Sequence, residues 1–75
     1  MSLAAEQWRS KALAAKAAGD TAGAEAAFAQ GIAAFPGNAA LLNSAGSFLS
    51  QEGRHDEALA RYEAALGADS RHAEA

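Results

Sequence analysis

The feature that most constrains this chain is that it resembles itself. Residues 53–66 read as a glycine turn followed by an amphipathic helix. Gly53 suits the left-handed conformation that ends a preceding helix. Asp56 and Glu57 place negative charge in the first turn of the next one, where the backbone dipole favours it. Ala58, Tyr62, Ala65 and Leu66 then recur at helical spacing, with Leu59 beside them. A shift of 34 positions (53 − 19) carries Gly53 to Gly19, Ala58 to Ala24, Tyr62 to Phe28 and Leu66 to Ile32. Upstream, the same shift carries Ser44 to Ser10, Leu42 to Trp8 and Ala39 to Ala5. An alanine-rich chain matches itself at many shifts, so the alanine pairs weigh little. The glycine, aromatic and aliphatic pairs carry the inference, because those residue types are scarce here. One fixed period in both halves of a short chain marks an internal repeat.

The period sets the expected elements. A first helix is expected over 5–18, with Trp8, Ala12 and Ala15 on one face and Gly19 as its stop. A second follows over 21–34, capped by Asp20 or Thr21, with Ala24, Phe28 and Ile32 inward. Phe35-Pro36-Gly37-Asn38 is the strongest breaker in the chain. Asn38 is placed to cap a third helix over 39–52, with Leu42, Ala45 and Leu49 inward. A fourth is expected over 56–68, leaving 69–75 as a polar stretch without a complete element. Glycine inside a helix costs about 1 kcal/mol relative to alanine. Gly31 and Gly46 therefore predict close approach, of a neighbouring backbone at Gly31 and of a second helix at Gly46.

Composition limits what such helices can enclose. A domain of 75 residues buries only about 60% of its unfolded surface. Although 51% of the residues are apolar, many are alanines, which favour helix without adding core volume. The large core candidates are Trp8, Leu13, Phe28, Ile32, Phe35, Leu41, Leu42, Phe48, Leu49, Leu59, Tyr62 and Leu66. The net charge of −3, with both signs interspersed, gives no footprint for nucleic acid. No apolar run approaches a membrane span, and Glu6 and Arg9 interrupt any signal-peptide core. No membrane partner is therefore expected, and the cytoplasm is the expected compartment. Without cysteine there is neither a disulfide nor a thiolate metal site.

Paired helices repeating every 34 residues resemble the tetratricopeptide repeat. The family's large–small–small–aromatic–small pattern is met by Trp8, Ala12, Gly19, Ala24, Phe28, Gly31 and Pro36 in residues 5–38. In residues 39–72 it is met by Leu42, Gly46, Gly53, Ala58, Tyr62 and Ala65. Residues 1–4 are expected as a disordered tail, and 73–75 match the opening of a third repeat that stops there. The chain departs from the family at Lys11, where leucine is usual, at Ala15, where an aromatic is usual, and at Ser70, in the proline position. The resemblance implies an all-α fold, two antiparallel helix pairs stacked as a short right-handed α-solenoid. It also implies a fragment of a longer scaffold, since two repeats fall below the three or so usually needed. The last helix should then show an uncovered apolar edge of Leu59, Tyr62 and Leu66.

Chemistry is largely absent. Ser10, Ser44, Ser47 and Ser50 lie on helices without a histidine at supporting spacing, as ordinary polar-face serines do. His55 and His72 are far apart and form no metal set, and Asp56-Glu57 is explained by the helix dipole. Neither catalysis nor a cofactor or metal is expected. What remains is a surface. In the family the first helix of each pair lines a concave groove for a peptide of a partner protein. By resemblance this falls on Glu6, Arg9, Leu13, Lys16 and Ala17, then on Asn43, Ser47, Ser50 and Gln51. Arg9 and Lys16 share a face with Leu13 between them, which favours a peptide of acidic or C-terminal carboxylate character. Family members that clamp a carboxylate follow the basic residue with an asparagine one turn later. Leu13 stands there, so that clamp is incomplete. Two alternatives remain: a homodimer through Leu59, Tyr62 and Leu66, or an accessory repeat segment of a larger enzyme such as a transferase.

Overall fold

The computed structural model describes the backbone of residues 3–74 and the side chains of residues 3–68. Four helices follow one another: α1 (Ala5–Ala17), α2 (Thr21–Ala34), α3 (Ala39–Gln51) and α4 (His55–Glu74). No strand occurs among the described residues. The starts of α3 and α4 lie 34 residues after those of α1 and α2, as the self-similarity requires. Residues 1 and 2 of the expected tail, and Ala75 of the expected third-repeat opening, lie outside the described residues. Leu3 and Ala4 precede α1 without helical structure.

The two turns within the pairs are built alike. Gly19 and Gly53 hold φ of +82° and +80°, a region that glycine enters without steric cost. After Gly19, the Asp20 N–H donates to the Ala15 carbonyl at 2.8 Å. After Gly53, the Arg54 N–H donates to the Leu49 carbonyl at 2.9 Å. Both close the six-residue ring that satisfies the last carbonyls of a helix. The new helices are capped as their sequences suggest: Asp20 accepts from the Gly23 N–H at 2.9 Å and Asn38 from the Leu41 N–H at 2.9 Å. At α1 the Gln7 side chain accepts from the Ala4 N–H at 2.7 Å.

The core forms around α3. This helix packs on α4 and on both helices of the first pair, and it holds the largest fully buried side chains, Phe48, Leu41 and Leu42. Phe28 of α2 meets Phe48 with ring centroids 5.6 Å apart, tilted by 42°. Ala12, Ala24, Ala45, Ala58 and Ala65 are buried between them. Small residues do set the spacing, but the element that approaches is a side chain. A methyl at Gly31 would lie 2.7 Å from Trp8 Cβ, and one at Gly46 would lie 2.8 Å from the Tyr62 ring. The backbone expected over Gly31 is thus replaced by an indole and by Leu41.

Two expectations are corrected. Leu13, Leu59 and Leu66 are not core residues: they are 37%, 57% and 68% exposed. Among the described residues no fifth helix covers the outer side of α4, and Leu13 lies on the solvent side of α1. Second, α4 runs on through Glu74 where an end was expected at residue 68. The stretch equivalent to Phe35-Pro36-Gly37-Asn38 is Asp69-Ser70-Arg71-His72, which contains neither proline nor glycine. Without a breaker, backbone hydrogen bonding continues.

Candidate functional site

The four helices make two unlike sides. α1 packs on α3, whereas α2 and α4 do not pack on each other. The pairs therefore close on the α1/α3 side and splay on the α2/α4 side. All nine residues expected to line a groove (Glu6, Arg9, Leu13, Lys16 and Ala17, then Asn43, Ser47, Ser50 and Gln51) stand on the two helices of the closed side. Arg9 is the link between them. Its Nε donates to Ser44 Oγ at 2.8 Å, and its Nη1 pairs with Glu6 Oε1 at 3.1 Å. Half of this guanidinium is thus already engaged within the fold, and Ser44 belongs to the surface although the sequence did not single it out for it. Leu13, Asn43 and Ser47 are exposed, while Lys16 and Ser50 are half-buried. Ser47 Oγ shares a hydrogen bond of 3.2 Å with the Tyr62 hydroxyl. Lys11, in the position where leucine was expected, places Nζ 5.3 Å from the Trp8 ring centroid, a cation–π distance.

The expected edge on α4 divides. Leu59 and Leu66 are open to solvent, but Tyr62 is half-buried, with its ring over Gly46 and its hydroxyl on Ser47. Tyr62 therefore belongs to the contact between α3 and α4, and the open apolar surface is Leu59 and Leu66.

A third surface was not foreseen. On the splayed side a cleft of about 330 Å³ lies between α2 and α4, floored by Ala45, Phe48 and Leu49 of α3. Phe28, Ala29 and Ile32 form one wall, and Glu57, Ala60 and Arg61 the other. One end is closed by Arg54, which reaches Glu25 of α2 at 2.9 Å and takes both oxygens of Glu57 through Nε and Nη2. These bonds raise the Arg54 pKa further and hold the Glu57 carboxyl below the usual carboxylate range. Glu25 and Arg54 are far apart in sequence and share no periodic pattern, so only the splay of the pairs brings them together. The alternation of Phe28 and Ile32 with Ala29 was visible, but not that its outer side would face a gap.

Among the described residues there is no cluster of three His, Cys, Asp or Glu side chains able to hold a metal. His55 is exposed at the start of α4, and the His72 side chain lies outside the described ones. No described helix is long and apolar enough to cross a membrane. No buried side-chain nitrogen or oxygen among the described residues lacks a hydrogen-bond partner, so none is held aimed and unsatisfied for chemistry. No family model, curated protein or solved structure matches the chain.

Proposed function

We propose that this chain is a protein–protein interaction module of tetratricopeptide-like build, holding a peptide segment of a partner on the α1/α3 side. The observation that supports this reading best is the packing asymmetry. Helices α1 and α3 touch while α2 and α4 stand apart, so the first helices of the two pairs line the inner side of the curve. That side carries Leu13 as an exposed apolar contact, Arg9 and Lys16 as cations, and Asn43, whose amide both donates and accepts toward a peptide backbone. Arg9 keeps only part of its donor set for a ligand, because Ser44 and Glu6 use the rest. Lys16, with no ion pair among the described residues, is then the main attraction for an acidic segment. Titration of short acidic and neutral peptides against wild type, Lys16→Ala and Arg9→Ala tests this. The acidic peptides should bind best, and each substitution should weaken them by a few-fold while leaving neutral ones unchanged. Equal binding of all peptides, or none, would overturn the reading.

A second reading is self-association through α4. It is favoured by the exposure of Leu59 (57%) and Leu66 (68%), one above the other on the outer side of the last helix.

A further inference from the structure

The cleft between α2 and α4 serves neither reading, and its shape and charge are specific. No element packs between the two helices. The volume of about 330 Å³ falls at the lower end of the 300–1,000 Å³ common for small-molecule sites. Its floor and walls are aromatic and aliphatic, while Ala29 and Ala60 leave the space unfilled. Four charged groups face it: Glu25, Arg54, Glu57 and Arg61. Three of them are spoken for, since Arg54 binds both carboxylates at one end. Arg61 stands about two helical turns along α4, roughly 10 Å away. It is half-buried and has neither a hydrogen bond nor an ion pair among the described residues. Glu57, one turn earlier on α4, has both carboxylate oxygens on Arg54. The cleft is thus apolar along its length, closed at one end, and positive at the other.

We propose that this cleft binds a small amphipathic anion, an aliphatic or aromatic carboxylate whose apolar body lies on Phe28, Ile32 and Phe48 and whose head accepts from Arg61. A single guanidinium balances a single carboxylate and offers it a planar pair of donors. A cationic amphiphile would meet Glu25 and Glu57 only at the closed end, where Arg54 already engages both.

The test uses octanoate, octanol and octylammonium below their micelle concentrations, with the amide spectrum of the full chain as readout. Octanoate should saturably shift the amides of Ala29, Ile32, Ala60 and Arg61, leave those of Leu13 and Asn43 in place, and bind at least tenfold tighter than octylammonium. Arg61→Gln should bring octanoate down to the affinity of octanol. Ala60→Leu, or Ala29→Leu should the first fail to fold, should fill the cleft and abolish binding while a thermal melt shows an intact fold. Equal binding of octylammonium, binding retained in a folded cleft-filled variant, or no saturable shift in wild type overturns the proposal. So do shifts centred on α1 and α3 or on Leu59 and Leu66, which would assign the ligand to another surface.

Discussion

Gly46 and Gly67 share a residue type and a helical backbone, yet opposite consequences follow from replacing them. At Gly46 a methyl would meet the Tyr62 ring at 2.8–3.1 Å, and the ring is fixed between α3 and the Ser47 hydroxyl. At Gly67 a methyl would meet nothing within 4 Å. Alanine gains up to about 1 kcal/mol of helix propensity at either site. Overpacking costs about 1–3 kcal/mol, so it outweighs that gain only at Gly46. Gly67→Ala should therefore raise the urea midpoint and Gly46→Ala should lower it. A rise for both would mean that Tyr62 moves aside freely. Gly31 was legible in sequence in the same way as Gly46, since a glycine inside a strong helical pattern signals a close neighbour. The identity of that neighbour was not legible, because Trp8 reaches Gly31 only through the packing of α1 on α2. In the second repeat the equivalent positions are Leu42 and Ala65, both buried. A large and a minimal residue in one repeat are balanced by two intermediate ones in the other.

At the level of elements, the beginnings of the helices were legible and one end was not. Asp20, Asn38, Gly19 and Gly53 act through local backbone geometry, which sequence specifies directly. The end of α4 was expected at residue 68 with a polar stretch beyond it, although Asp69-Ser70-Arg71-His72 carries nothing that breaks a helix. Ser70→Pro tests the longer α4. Proline there removes a helical hydrogen bond and clashes with the preceding turn. Helical ellipticity should fall by roughly a turn of helix, while the melting midpoint stays in place, because the buried Ala58 and Ala65 lie upstream. Unchanged ellipticity would mean that α4 ends earlier. The start of α4 makes a separate prediction about pH. Arg54 holds the Glu57 pKa below its unfolded value. The carboxylate's contribution is therefore complete above the unfolded glutamate value of about 4.3 and is lost as pH falls through the lower folded value. Both groups are solvent-accessible, so the effect is small and weakens with salt. Glu57→Gln should lower the melting temperature slightly near neutrality and flatten its fall between about pH 5 and the lower folded value, so that the two profiles converge in acid. An identical acid slope in the variant would show that Arg54 gains nothing from Glu57.

Over the whole molecule, what was hardest to read in advance is how the two ends differ. The residues that make helix α3 central, Leu41, Leu42, Phe48 and Leu49, were all among the core candidates of the sequence. The splay that opens the α2/α4 cleft depends on how two pairs meet, which no single stretch of sequence encodes. The ends follow from comparing equivalent positions. Where α3 presents Leu41, Ala45 and Phe48 to its neighbours, α1 has Gln7, Lys11 and Ala14, all exposed. The side of α1 facing away from the core is thus polar or small, as the terminal unit of a stacked array needs to be. At the other end Leu59 and Leu66 lie open where α2 has Glu25 and Ile32. Head-to-tail stacking would set the apolar α4 against the polar α1 of the next copy, a poor match that could propagate without closing. Two α4 helices related by a two-fold axis instead cover each other's leucines and leave no free edge. Association should therefore stop at a dimer. Sedimentation equilibrium over a wide concentration range should show mass rising to twice the monomer value and no further, with the melting temperature rising alongside it. The Leu59→Ser/Leu66→Ser double variant should stay monomeric, with a melting temperature independent of concentration. A wild-type mass that stays at the monomer value at every concentration would mean that the leucine edge remains in water and that two repeats suffice. A mass that keeps growing past two would mean that α1 is a worse cap than its polar residues imply.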